Sequence, residues 1–294
     1  MVRNIRAAQI ENVARPVISV GNDYPAGHRH APHQHRRSQL LYAETGTMLV
    51  ETAQGAWMVP PHQAVWIPAG ITHSIAMLDR VATRSVYLDD AAASGMPGQC
   101  RVLAISSLLR QLLIEAVDLP PEYDPACRDG KLMSLLIDEV RAAPMLWLCL
   151  PLPSDARLAA RCRRFIERPT ALDTINAWCR DLALSRRTFT RYFRRETGLT
   201  FSDWQRRACL LSALPRLLRG ERVTTIAFDL GYSSPAAFTT MFKRLVGTVP
   251  TAVAGAEADS ALLAAASRSS GANIGRSMAR SYPAAARISV RSSK

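Results

Sequence analysis

Ile175-Asn176-Ala177-Trp178-Cys179-Arg180-Asp181-Leu182-Ala183, followed by Phe189-Thr190-Arg191-Tyr192-Phe193-Arg194-Arg195 and Gly198, returns farther down the chain in altered form. The second copy reads Val223-Thr224-Thr225-Ile226-Ala227-Phe228-Asp229-Leu230-Gly231, then Phe238-Thr239-Thr240-Met241-Phe242-Lys243-Arg244 and Gly247. The copies are offset by 48 positions up to the turn and 49 after it, as a duplicated unit with one extra turn residue requires. In the second copy Ile226, Ala227 and Leu230 share one helical face, and Gly231 suits the positive φ of a tight turn. Ser233 or Ser234 caps the next helix and Pro235 suits its first turn. Phe238, Met241, Phe242 and Leu245 recur at helical spacing and bury one face, leaving Ala236, Thr239, Thr240 and Lys243 outside. In the first copy Ser185 is the cap and Phe189 and Phe193 face inward. Ala183 stands where the second copy has glycine, so a left-handed turn there is strained by about 1 kcal/mol. Phe201 to Leu218 reads as a helix of roughly 25 Å between the units, a spacer that suits two recognition helices one DNA turn, about 34 Å, apart.

Charge follows the repeat. The 294 residues carry a net charge of +13, distributed as +1 over 1–98, −2 over 99–154, +10 over 155–254 and +4 over 255–294. A basic unit beside a near-neutral one fits a polyanionic partner. Arg186, Arg187, Arg191, Ser234, Pro235 and Thr239 are the candidates for groove contact, Arg194, Lys243 and Arg244 for phosphate, and Thr190 is a further DNA-binding candidate on the same outer face.

The rest divides by pattern. Residues 15–90 hold short apolar runs such as Gln39-Leu40-Leu41-Tyr42, Thr47-Met48-Leu49-Val50-Glu51 and Ala64-Val65-Trp66-Ile67 between turn residues, which predicts a small barrel or sandwich. Residues 101–117 and 129–142 carry helical periodicity, and Pro144, Pro151 and Pro153 mark a boundary. The segment from about 254 is poor in large apolar residues and reads as disordered. No apolar run reaches the roughly 18 residues of a membrane span. The N-terminus lacks a secretory apolar stretch. The six cysteines form no C-x-x-C pair, which argues against structural zinc and for a reducing, cytoplasmic setting.

Residues 160–253 resemble the AraC/XylS regulators. The resemblance rests on Leu184-Ser185-Arg186-Arg187-Thr188-Phe189-Thr190-Arg191-Tyr192-Phe193-Arg194-Arg195-Glu196-Thr197-Gly198 and Ile226-Ala227-Phe228-Asp229-Leu230-Gly231-Tyr232-Ser233-Ser234-Pro235-Ala236-Ala237-Phe238, with Phe242-Lys243-Arg244, Gly247 and Pro250. Thr251-Ala252-Val253 departs from the family's frequent Tyr-Arg after that proline. The N-terminal region is similar to a cupin barrel. Gly27, His33, His35, Gln39 and Gly46 match its first motif, with Gln39 where metal cupins have Glu, and Pro68, Gly70 and His73 resemble the second. His33, His35 and His73 then stand where a divalent transition metal is held, Gln39 being a weak fourth ligand. Loss of the carboxylate lowers the site's charge, so a pocket for a small-molecule effector is the favoured reading, with Gln39, Tyr42, Trp57 and Trp66 as its walls. Arg36-Arg37 beside it reads as an anion site or a solvated pair.

The expected fold is α+β and multidomain: a cupin-like effector-sensing β-barrel at 1–98, a helical linker and dimerisation region at 99–154, a DNA-binding domain of two helix-turn-helix units at 155–254, and a tail at 255–294. The expected function is sequence-specific, effector-responsive transcription regulation without catalysis. The implied partners are double-stranded DNA, an unidentified small molecule, a second copy of the chain, and RNA polymerase in the case of an activator; no membrane partner is expected. The alternative, a metal-dependent cupin enzyme such as a dioxygenase or isomerase, accounts for the histidines and leaves the repeat and the basic segment without a role.

Overall fold

A computed structural model describes residues 12–53, 55–146 and 149–253. The region read as a disordered tail lies outside them. The N-terminal strands are β1 (Val17–Tyr24), β2 (Arg29–His33), β3 (Ser38–Thr45), β4 (Met48–Thr52), β5 (Gly55–Val59), β6 (Gln63–Ile67), β7 (His73–Met77), β8 (Val81–Leu88) and β9 (Arg101–Ala104). Two short strands, β10 (Met145–Leu146) and β11 (Cys149–Leu150), follow the helices α1 (Ser107–Ala116) and α2 (Arg128–Ala142).

The expected barrel is two facing sheets, ordered β1-β8-β3-β6-β9-β10 and β11-β5-β4-β7-β2, with antiparallel pairing throughout. This is a cupin-like jelly roll whose sheets do not close into a hydrogen-bonded cylinder. Strand alternation sorts the side chains. Leu41, Met48, Val50, Trp57, Val59, Val65, Ile67, Ile75 and Met77 belong to the core between the sheets and keep almost no accessible surface. Leu40, Tyr42, Ala64, Trp66, Val86 and Leu88 point the other way, into a second core under Leu109, Leu113, Met133, Leu136 and Val140 of α1 and α2.

The segment 99–154 is therefore not purely a helical linker. Arg101–Ala104 is strand β9, paired with β6, and β10 and β11 add one strand to each sheet. A run such as Val102-Leu103-Ala104-Ile105, buried throughout, has no period to separate strand from helix.

The C-terminal domain holds α3 (Ala156–Glu167), α4 (Ile175–Leu182), α5 (Arg186–Thr197), α6 (Phe201–Leu218), α7 (Val223–Asp229) and α8 (Pro235–Val246), then a 3-10 turn at Pro250–Ala252. Its centre is a nest of rings: Trp178 lies 5.0–6.2 Å, centroid to centroid, from Phe165, Phe189, Phe193, Phe201 and Trp204. The core α6 packs between the units, its Trp204 Nε1 donating to Pro151 O at 2.8 Å. The domain is seated on the outer face of the second sheet, where Ala56, Met58 and Leu150 meet Ile166, Ala208 and Leu211. No described helix is long and apolar enough to cross a membrane.

Candidate nucleic-acid interface and sensor site

Both repeat units fold as a helix, a turn and a second helix. Thr174 caps α4 by accepting from Ala177 N, and Ser185 caps α5 by accepting from Thr188 N. Ser234, not Ser233, caps α8 through Ala237 N, with Pro235 at its first turn. The turn after α4 places Ala183 at φ 54°, ψ 44°, the left-handed conformation expected from the alignment with Gly231, which sits at φ 76°. Phe189, Phe193, Phe238 and Phe242 are fully buried and anchor the two recognition helices. Leu245 is half-buried; Val246 takes the last buried position of α8.

The outward faces carry the predicted contact residues. Arg186, Arg187, Thr190, Arg191, Arg194, Lys243 and Arg244 are exposed, while Ser234, Pro235 and Thr239 are half-buried. Two of the hydroxyls have local partners: Ser234 Oγ accepts from Ala237 N in the cap, and Thr190 Oγ1 donates to Arg186 O. Two groups of arginines in the domain differ in their partners. Arg161 bridges Asp173 at 2.7 Å and Asp181 at 2.9 Å and lies over the Trp178 ring, and Arg216 clamps Glu221 and Asp229. Arg186, Arg187, Arg191 and Arg194 have no ion pair among the described residues. Two of these begin α5, whose first turn has no acidic residue. Cations at the positive end of a helix dipole cost about 0.3–1 kcal/mol there, a cost that an incoming polyanion removes. A cleft of about 450 Å³ beside α5 adds Arg157, Thr188 and Arg195 to this face. The sequence carried no signal for Arg157, because α3 lies outside the repeat and only the fold brings it there.

Within the N-terminal sandwich the three expected histidines converge. His33 and His73 are register partners across β2 and β7, and their ring centroids lie 4.4 Å apart. His35 lies 4.9 Å from His33 and 5.4 Å from His73 by the same measure. One ligating nitrogen from each falls within 4.8 Å of the others. His33 Nδ1 lies 2.8 Å from Ala31 O and His73 Nδ1 2.9 Å from Ile71 O. A carbonyl only accepts, so both rings carry a proton on Nδ1, which leaves Nε2 as the nitrogen that can ligate. Burial pushes His73 down to about 4, which keeps it neutral. Its Nε2 is buried without a hydrogen-bond partner.

The proposed effector walls separate. Gln39 is buried, donating from Nε2 to Tyr87 Oη at 3.0 Å and Ser85 Oγ at 3.2 Å, and the Tyr87 ring packs against His35. Gln39 Oε1 has no partner. Trp57 lies between the sheets as core. Tyr42 and Trp66 do not line that space: one residue of strand register turns them outward under α1 and α2, where Trp66 Nε1 donates to Pro97 O. Arg37 is neither a solvated side chain nor a free anion site. It is buried and donates to Val13 O and Arg15 O, both at 2.7 Å, which fastens the chain ahead of β1.

A cleft of about 240 Å³, which no sequence pattern signals, lies at the seam between the sandwich and the helices. Leu49, Met58, Ala76 and Leu78 face Ile166 and Pro215 across it. Three ion pairs span the seam: Arg29–Glu167 at 3.9 Å, Glu51–Arg163 at 3.2 Å and Asp79–Arg219 at 3.1 Å.

Residues 15–136 match the family described as an AraC-like ligand binding domain, and 178–255 match a helix-turn-helix domain. The chain is 33% identical over 218 residues to the HTH-type transcriptional regulator NimR of Escherichia coli strain K12, covering 74% of this chain and 80% of that protein. It is 25% identical over 103 residues to the HTH-type transcriptional regulator RipA of Corynebacterium glutamicum, covering 34% of this chain and 30% of RipA. Among solved structures, ToxT of Vibrio cholerae superposes with a TM-score of 0.33 at 12% identity, over 81% of this chain and 97% of ToxT. With two helix-turn-helix units, a ligand-binding sandwich ahead of them and a regulator sharing a third of its residues over most of its length, the chain belongs to the AraC/XylS family of DNA-binding transcription regulators.

Proposed function

We propose that α5 and α8 enter successive major grooves, with Arg186, Arg187, Arg191, Ser234, Pro235 and Thr239 against base edges and Arg194, Lys243 and Arg244 against phosphate. The segregation of arginines carries this reading. Arg161 and Arg216 are bound to carboxylates, whereas Arg186, Arg187, Arg191 and Arg194 of α5 stand free of ion pairs among the described residues. Ser234 Oγ accepts from Ala237 N in the cap, which leaves its O–H to donate to a base edge. A small-molecule effector meets the N-terminal sandwich, and its binding reaches the DNA-binding domain across the seam. The 99–154 helices support a homodimer, because Leu108 of α1 and Leu135 of α2 remain exposed beside an otherwise buried face. The protein acts in the cytoplasm, without turnover, and meets RNA polymerase where it activates.

The test is fluorescence anisotropy of the full chain on its own upstream DNA and on a scrambled duplex, across a salt series. Specific binding that falls steeply with salt is expected. Equal affinity for both duplexes in the presence and absence of Arg186, Arg187 and Arg191 would refute the groove assignment.

A further inference from the structure

We infer that the cleft at the domain seam is a ligand site in its own right, and that it takes a compact, uncharged, largely apolar molecule: one or two fused rings with a single hydrogen-bonding group. The site stands on its own geometry. Its effect on DNA binding rests on the reading, given above, that effector binding reaches the DNA-binding domain across the seam.

The cleft is separate from the space between the sheets. Side chains alternate along a strand. Val50, Ile75 and Met77 belong to the core between the sheets, so Leu49, Ala76 and Leu78 emerge on the other face of the same sheet. There they meet Ile166 of α3 and Pro215 of α6. A guest in the cleft therefore touches both domains at once.

Size, charge and one polar group define the guest. A cavity of roughly 150 Å³ accepts benzene, and drug-sized ligands take roughly 300–1,000 Å³. The seam cleft, at about 240 Å³, falls between them. All seven charged residues that line it are already paired within the protein. Arg29 faces Glu167, Arg163 faces Glu51, Arg219 faces Asp79, and Arg216 is held by Glu221 and Asp229. A charged guest would have to break one of these pairs or lie unpaired out of water, and either costs affinity. Thr47, just ahead of β4, shares the parity of Leu49 and Glu51 and lines the cleft with them. It is 1% exposed, and its Oγ1 has no hydrogen-bond partner. A guest with one donor or acceptor satisfies that hydroxyl and lays its rings against the apolar walls.

The position of the cleft gives a ligand leverage. α6, which packs between the two helix-turn-helix units, carries Pro215 on one wall and Arg219 at the seam. A molecule held by both walls favours the docked arrangement by mass action. Any factor by which it changes DNA affinity must reappear as the factor by which DNA changes its own affinity.

The experiment is calorimetric titration of the full chain with 2-naphthol, and with 2-naphthoate as its charged counterpart. Hydrogen exchange over β4, β7, α3 and α6 and DNA affinity are measured in parallel. One equivalent of 2-naphthol per chain is expected, with a raised melting temperature, slowed exchange on both walls and a shifted DNA affinity. 2-Naphthoate is expected to bind about tenfold more weakly or worse. Thr47→Val removes a hydroxyl that has no partner to lose, so the parent's melt is expected with about tenfold weaker 2-naphthol binding. Leu78→Trp, at an exposed position, and Ala76→Phe each fill the cleft and are expected to abolish binding. No binding at saturating 2-naphthol overturns the site. So does binding that survives Leu78→Trp and Ala76→Phe but is lost in His33→Ala, which puts the probe between the sheets. Tighter binding of 2-naphthoate overturns the uncharged guest. Stoichiometric binding with unchanged DNA affinity overturns the coupling to DNA. Equal affinity for the upstream and scrambled duplexes with 2-naphthol binding intact refutes the groove assignment and leaves the cleft site standing.

Discussion

Asp79, in the turn after β7, accepts a 3.1 Å hydrogen bond from Arg219 Nη1 at the C-terminal cap of α6, joining positions 140 residues apart across the domain seam. Both side chains are substantially exposed, at 39% and 51%, so the pair itself contributes only about 0.2–1 kcal/mol. Its value is orientation. Asp79→Arg is expected to lower DNA affinity or its effector response, and the double exchange Asp79→Arg with Arg219→Asp to restore it. A double-mutant cycle on anisotropy data checks this; single and double variants that behave alike would show that the pair has no role in the seam.

Ala183 and Gly231 occupy equivalent turns and respond in opposite ways. Ala183→Gly relieves a left-handed alanine and is expected to stabilise the chain by about 0.5–1 kcal/mol, after the glycine's larger unfolded-state entropy is counted. A Cβ at Gly231, where φ is +76°, would lie 2.5 Å from Thr170 Oγ1 and 2.7 Å from Leu172 Cγ. Gly231→Ala is expected to destabilise by about 1–3 kcal/mol. Urea denaturation of the two variants measures both signs.

Arg191→Ala removes from the outer face of α5 an exposed guanidinium that has no ion pair among the described residues. A loss of roughly 1–3 kcal/mol in specific binding with relaxed preference at one base pair is expected if it reads a base. Arg194→Ala is expected instead to weaken binding to all sequences and to reduce the salt slope by about 1. Anisotropy with single-base operator variants separates the two roles.

The two recognition helices are anchored with unequal strength. Phe193 packs against Trp178, Phe201 and Trp204, whereas Phe238 has only Tyr232 and Phe242 as ring neighbours among the described residues. Both phenylalanine-to-alanine changes are expected to cost about 3–5 kcal/mol. Hydrogen exchange should find α8 opening more readily than α5 in the parent protein. Slower exchange in α8 would contradict this ordering.

Two carboxylates of the DNA-binding domain have lowered pKa values. The hydrogen bond from Arg216 holds Glu221 below its usual range, and the hydrogen bond from Ser154 does the same for Glu196. A carboxyl depressed in the folded state adds stability that is present above the unfolded pKa and is lost as pH falls through the folded one. Thermal melts should therefore show stability falling as pH drops below about 4.3, the ordinary glutamate value. Arg216→Met should flatten the part due to Glu221; an unchanged profile would remove that pair from the account.

Local chemistry was legible in the chain and long-range choices were not. Caps, turns and helical faces depend on residues a few positions apart, so Ser185, Ala183, Gly231, Pro235 and the four inward phenylalanines could be placed from the repeat alone. Strand facing depends on register with a distant partner, and a slip of one residue reverses it. That is why Gln39 proved to point inward beside the histidines while Tyr42 and Trp66 turned out to pack under helices. Val102-Leu103-Ala104, apolar and buried on both sides, offered no period, and pairing with β6 alone made it a strand. The tautomers of His33 and His73, the tethering of Arg37 and the seam with its Asp79–Arg219 contact exist only once the sheets have paired and the domains have docked. Sequence fixes what a helix or turn needs within its own length; burial and close approach between distant segments are settled by tertiary packing.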